Sequence, residues 1–107
     1  MLRKRLFNRV EGEGGMMFKL RPVRGFVEYR EGPKTARVPV QHLSSGGVSV
    51  YMDMPIQWNP PYDSELISEE KRIQMLNNIV EALRFRKYKV DVVQKTIGSF
   101  VINRRQK

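Results

Sequence analysis

The sequence predicts an α+β domain: a small antiparallel sheet of four to five strands, covered on one face by a single amphipathic helix at about 69–87. Three observations predict it. Stretches such as "GFVEYREGPKTARVPV" alternate apolar and polar residues with the short period that half-buries a strand. Tight links containing Gly and Pro join them, as suits antiparallel neighbours. Finally, Ile73, Leu76, Ile79, Val80 and Leu83 form one apolar stripe at helical spacing. One such helix covers one face of a sheet, which gives two layers.

The elements follow in chain order. Residues 1–15 read as a basic, glycine-rich arm, because "NRVEGEGGMM" lacks periodicity and is rich in breakers. The domain is expected over 16–94, with 95–107 a basic tail or one extra strand, "SFVIN". In the first hairpin Val27 and Tyr29 alternate with Phe26, Glu28 and Arg30, and Ala36, Val38 and Val40 alternate with Arg37. The link "EGPK" supplies Gly32 for a positive φ and Pro33 for a fixed one. Pro39 removes a ladder donor, so the second strand ends there or lies at an edge. "VQHLSSGG" is a turn. "VSVYMDM" sets Val48, Val50 and Met52 against Ser49, Tyr51 and Asp53. "PIQWNPPYDSE" holds Pro55, Pro60 and Pro61 and crosses the surface as an extended loop.

Ser68 caps the helix, with Glu69 and Glu70 where the dipole favours negative charge. Lys71 occupies the position where a capping box needs Glu or Gln. Arg84, Arg86 and Lys87 gather at the other end, where cations suit the dipole. "YKVDVV" then sets Tyr88, Val90 and Val92 against Lys89 and Asp91, a strand.

Composition narrows the chemistry. With no cysteine and one histidine, His42, the chain has no disulfide, thiolate site or multi-histidine metal site, and no cofactor is expected. "MLRKRLF" is not followed by the apolar run of a signal peptide, and no stretch approaches the roughly 18 apolar residues of a membrane span. A cytoplasmic, non-membrane protein is the expectation.

The net charge of +9 divides as +2 over residues 1–16, +3 over 17–94 and +4 over 95–107. The ends therefore carry much of the excess, and basic ends are usually solvated.

No constellation reads as an active site, and no enzyme is expected. Asp63, Glu65, Glu69 and Glu70 cluster in a loop and a first helical turn, where they complement the helix dipole. "SSGG" is a turn composition, and "EGEGG" lacks the lysine and helix of a phosphate loop.

Two binding surfaces remain. Phe26, Tyr29 and Tyr51, near Arg24, Arg30 and Arg37, would form a stacking platform for nucleic acid, giving weak, salt-sensitive binding supported by the termini. The same aromatics would equally fill the sheet–helix core. For a protein partner, Trp58 and Tyr62 sit among prolines as aromatic anchors, flanked by Asp63 and Glu65 that would steer a basic partner. Trp58 would equally fold back as a lid on the helix base, and the two roles are compatible. The mixed charges of the helix, Glu69, Glu70 and Glu81 beside Lys71, Arg72 and Arg84, do not suit a membrane surface.

Three stretches in order, "RGFVEYREG", "IQWNPPYDSELISEEKR" and "NIVEALRFRKYKVDVV", resemble the immunity protein 74 family of bacterial polymorphic-toxin systems, over about 23–93. Trp58, Pro60, Pro61, Asp63, Ile67, Ser68, Glu69 and Glu70 match the family's Trp-x-Pro-Pro element, acid and helix start. Tyr88 stands where the pattern leads one to expect a helix-ending glycine. The resemblance implies a small cytoplasmic protein that binds a cognate toxin and blocks it. An inhibitor of a basic nuclease would be acidic. The basic charge of this chain implies either a different toxin or contact through the acidic 63–70 patch.

Overall fold

Alternation becomes ladder in the first half of the chain. The computed structural model describes residues 2–4, 9–12, 15–94, 96–97 and 100–101. Five antiparallel strands run in sequence order: β1 (Arg3–Lys4), β2 (Arg9–Glu11), β3 (Met16–Arg21), β4 (Phe26–Glu31) and β5 (Lys34–Pro39). The β4–β5 hairpin forms as expected, with Val27 opposite Val38, Tyr29 opposite Ala36, and Gly32 at φ 62° in the turn. β5 is an edge strand that ends at Pro39.

β2 and β3 lie where the sequence reading placed an arm, a linker and the domain's unassigned start. Phe18 and Leu20 alternate with Met17, Lys19 and Arg21, and both apolar side chains are buried. Val10, opposite Phe18, is fully buried as well, so residues 9–11 are part of the sheet and its core. A 3-10 turn at Pro22–Arg24 leads into β4 through Gly25 at φ 93°.

A second sheet holds the later strands. β6 (Gln41–His42) pairs antiparallel with β7 (Val48–Tyr51), and β7 pairs parallel with β8 (Val90–Val93). Parallel pairing requires a crossover, and the long loop plus the helix α1 (Glu69–Phe85) supplies it. The class α+β holds, but "VSVYMDM" and "YKVDVV" do not join the antiparallel sheet. β8 also differs in facing: Val93 is buried and Val92 exposed. A short hairpin of β9 (Thr96–Ile97) and β10 (Phe100–Val101) follows; the rest of the expected tail and arm lies outside the described residues.

α1 begins as expected. Ser68 is extended and its Oγ accepts from the Lys71 amide at 3.1 Å. Leu76, Ile79, Val80 and Leu83 are buried, joined by Met75 and Ala82. Ile73 is a correction, for it is 39% exposed. The buried face runs through Met75, Leu76 and Ile79, and three and four residues before the first two stands Arg72. Ile73 lies about 100° round from Arg72, on the flank of the stripe. The helix ends at Phe85, before the expected 87.

Candidate functional site

The loop of residues 52–68 carries the expected partner-binding residues, and the prolines only begin to account for its path. Asn59 is tied to the hairpin twice: its amide donates to Thr35 O at 2.8 Å and its Nδ2 to Thr35 Oγ1 at 2.9 Å. The first of these bonds also occupies one position, Thr35 O, on the free edge of β5, an edge otherwise open to unwanted pairing. Two consecutive turns follow, Tyr62 N to Asn59 O and Glu65 N to Tyr62 O, each at 3.0 Å. Gln57 Nε2 donates to Asp63 O at 3.1 Å across them. The Pro60–Pro61 peptide bond is cis.

Arg72 fastens the start of the loop to the helix. Its Nη1 donates to Met52 O at 2.6 Å and Met54 O at 3.0 Å, while Nε and Nη2 grip the Glu69 carboxylate at 3.1 and 2.5 Å. A guanidinium suits this task because its planar fork carries five donors. The bond from Arg72, with its charge, holds the Glu69 carboxyl below its ordinary range.

Trp58 is the lid of the alternative reading. It is 6% exposed and sits 6.2 Å from Tyr29, which in turn meets Phe18 edge-on at 5.3 Å. Its area is spent on the core, so it does not present an anchor. Tyr62 is half-buried against that core. Asp63 and Glu65 are exposed, but Glu65 is met by Lys34 at 2.5 Å. The Lys34 ammonium also lies 5.8 Å from the Trp58 ring and 5.7 Å from that of Tyr62. One cation thus joins the acid and both aromatics, and the steering charge of Glu65 is largely neutralised.

A groove of about 420 Å³ opens beside them, lined by Glu31, Lys34, Trp58, Glu65, Leu66, Ile67, Ser68 and Lys71. Its charges alternate and are matched, Lys71 to Glu31 at 2.9 Å and Lys34 to Glu65. Burial alone would raise the Glu31 carboxyl. The Lys71 and Tyr29 hydrogen bonds and the charges of Lys71 and Lys34 outweigh that and hold it below its usual range. Tyr29 is pushed upward by burial, by the Glu31 charge and by their 3.0 Å bond. The groove is therefore a braced, nearly neutral cleft. On its lip stands Leu66, 97% exposed. The sequence reading passed over it, although an apolar residue between Glu65 and Ile67, before the cap, was a visible signal.

The residues expected for a nucleic-acid platform are brought together only in part. Tyr29 is buried on the inner sheet face. Tyr51 belongs to the second sheet, half-buried, its hydroxyl bonded to Gln41. Arg24 lies in the 3-10 turn. Arg30 and Arg37 do share the outer sheet face, where Arg37 stacks 4.1 Å over Phe26. Among the described residues no three His, Asp or Glu side chains are placed to hold a metal ion, and no helix is long and apolar enough to cross a membrane.

No curated protein and no solved structure matches the chain. A family model does: Immunity protein 74, over residues 19–93.

Proposed function

From the premise that the chain belongs to the immunity protein 74 family, we propose that it binds a cognate bacterial protein toxin and blocks it by occlusion, in the cytoplasm and without chemistry of its own. The docking element is the 59–67 ridge, with Leu66 as its apolar anchor and Tyr62, Asp63 and Glu65 around it. The observation that carries this is an almost wholly exposed Leu66 on a loop tied down at several points. A loop already ordered loses little entropy on binding. An apolar side chain raised on such a support can fill a partner's pocket and exclude water there.

Co-expression with a toxin gene, should one stand beside this gene in the genome, tests the reading. Wild type should restore growth, and Leu66→Asp should lose protection with its melting temperature unchanged. Asp63→Ala with Glu65→Ala should slow association at low salt and cost less than about 1 kcal/mol of stability, since the ion pair removed is exposed. A wild-type chain that neither protects nor binds that toxin ends the proposal.

A further inference from the structure

The outer face of the five-stranded sheet is a large surface that the helix leaves uncovered. Strand alternation puts Val10, Phe18, Leu20, Val27, Tyr29, Ala36 and Val38 inward. The intervening residues face out, and their side chains are exposed or half-buried. They are strongly of one sign: Arg9, Lys19, Arg21, Arg30 and Arg37 against Glu11 and Glu28. A shallow cleft of about 120 Å³ sits among Arg9, Met17, Lys19, Glu28, Arg30 and Thr35.

We propose that this face is a docking surface for an acidic protein surface, that of the toxin, whose carboxylates it takes between its guanidinium groups. The inference rests on the reading of the chain as a toxin-binding protein and gives the partner's chemistry at a second contact. Charge complementarity selects an acidic partner. Three details select protein over nucleic acid. Glu28 stands in the middle of the face, paired with Lys19 at 3.6 Å, where a continuous phosphate chain would be repelled. Single-strand binders stack bases on aromatic rings, and Phe26, the aromatic residue of this face, has Arg37 stacked 4.1 Å over it. Arginine, methionine and aromatic side chains together are the composition enriched at protein interfaces. Two of the arginines are also pre-set: Arg37 by Phe26, and Arg30 by donating its Nε to Gly32 O at 3.2 Å. A guanidinium so held presents its fork to a carboxylate with less entropy to lose.

The test uses two probes on the full chain, octaglutamate and a thymidine oligonucleotide of matched charge, followed by amide resonances at low salt. Octaglutamate should move the resonances of β2, β3 and β4 around Arg9, Lys19 and Arg30. The double variant Arg9→Glu with Arg30→Glu should weaken it by about tenfold or more. Both side chains are exposed, and in the ladder they face Lys19, Met17 and Thr35 and no acid, so the fold should tolerate the change. Arg84→Glu with Lys89→Glu, an equal change of charge elsewhere, should have a much smaller effect. Equal losses in both variants would reduce the binding to net charge and overturn the proposal. Tighter binding of the oligonucleotide on this face would give it to nucleic acid instead. In the protection assay, full protection by the Arg9→Glu, Arg30→Glu chain would exclude the toxin as occupant. The peptide titration needs no toxin, so a failure of the immunity reading leaves it interpretable.

Discussion

Lys87 lies in the left-handed region, at φ 74°, just after the helix. Its amide bonds Arg84 O at 2.9 Å and the next amide, of Tyr88, bonds Leu83 O at 3.0 Å. This pair of bonds is the helix-ending motif that glycine usually serves. The glycine expected in place of Tyr88 has its conformational counterpart one residue earlier, in a lysine. A side chain there costs about 1–2 kcal/mol of steric strain, partly offset because glycine loses more entropy on folding. Lys87→Gly should therefore stabilise the protein, by about 0.5–1 kcal/mol in urea denaturation. Glu31 gives a prediction in pH. Its carboxyl is held below the ordinary carboxylate range in the folded chain, so its contribution is present above that range and is lost as the pH falls through the lower folded value. Glu31→Gln should lower the melting temperature at neutral pH, and the gap to wild type should close in acid. A gap that stays constant would mean the Lys71 and Tyr29 contacts carry no differential stability.

The helix and the loop that enters it act as one element. Arg72 occupies the first turn of the buried face and spends its donors on loop carbonyls, where an apolar residue would have left them unmet. The stripe shows the consequence in stability. Leu76 is fully buried and Ile73 is not. Leu76→Ala should cost about 2–5 kcal/mol through lost burial and a cavity. Ile73→Ala should cost less, about 1 kcal/mol, because 39% of that residue already meets solvent and its truncation removes less burial. Denaturant midpoints of the two variants compare them directly, and similar losses would mean the helix is rotated from the position described.

At the scale of the molecule, two sheets share one helix, and the first sheet reaches back to residue 3. Removing residues 1–15 takes away β1 and β2, and with them a buried valine and the cover over Phe18. Burying one valine is worth about 1.5–3 kcal/mol, so the truncated chain should be destabilised by at least that much. An unchanged unfolding transition would make the segment dispensable. The same geometry limits how any nucleic-acid binding can be assigned to the ends, since deleting 1–15 removes core as well as charge. The two candidate docking regions meet near the β4–β5 turn, where Lys34 and Thr35 hold the loop and Thr35 also borders the basic cleft.

The sequence by itself determined what is encoded within a few neighbouring residues. The β4–β5 hairpin follows from alternation and from Gly32, the helix start from Ser68 and the acids after it, and the irregular loop from its prolines. The "FKLR" alternation of β3 was equally local and was hidden only by the glycine-rich stretch before it. The tertiary structure decided the rest, because facing and pairing depend on residues distant in the chain. Trp58 is core because Tyr29 offers the loop a ring from β4. Arg72 points inward because two carbonyls 18 and 20 residues earlier need donors. Glu65 is neutralised because Lys34 arrives from the hairpin, 31 residues away. β7 and β8 pair in parallel because the loop and helix between them are long enough to return the chain to the same end of the sheet. A period in the sequence shows that a face is apolar; only the packed chain decides what covers it.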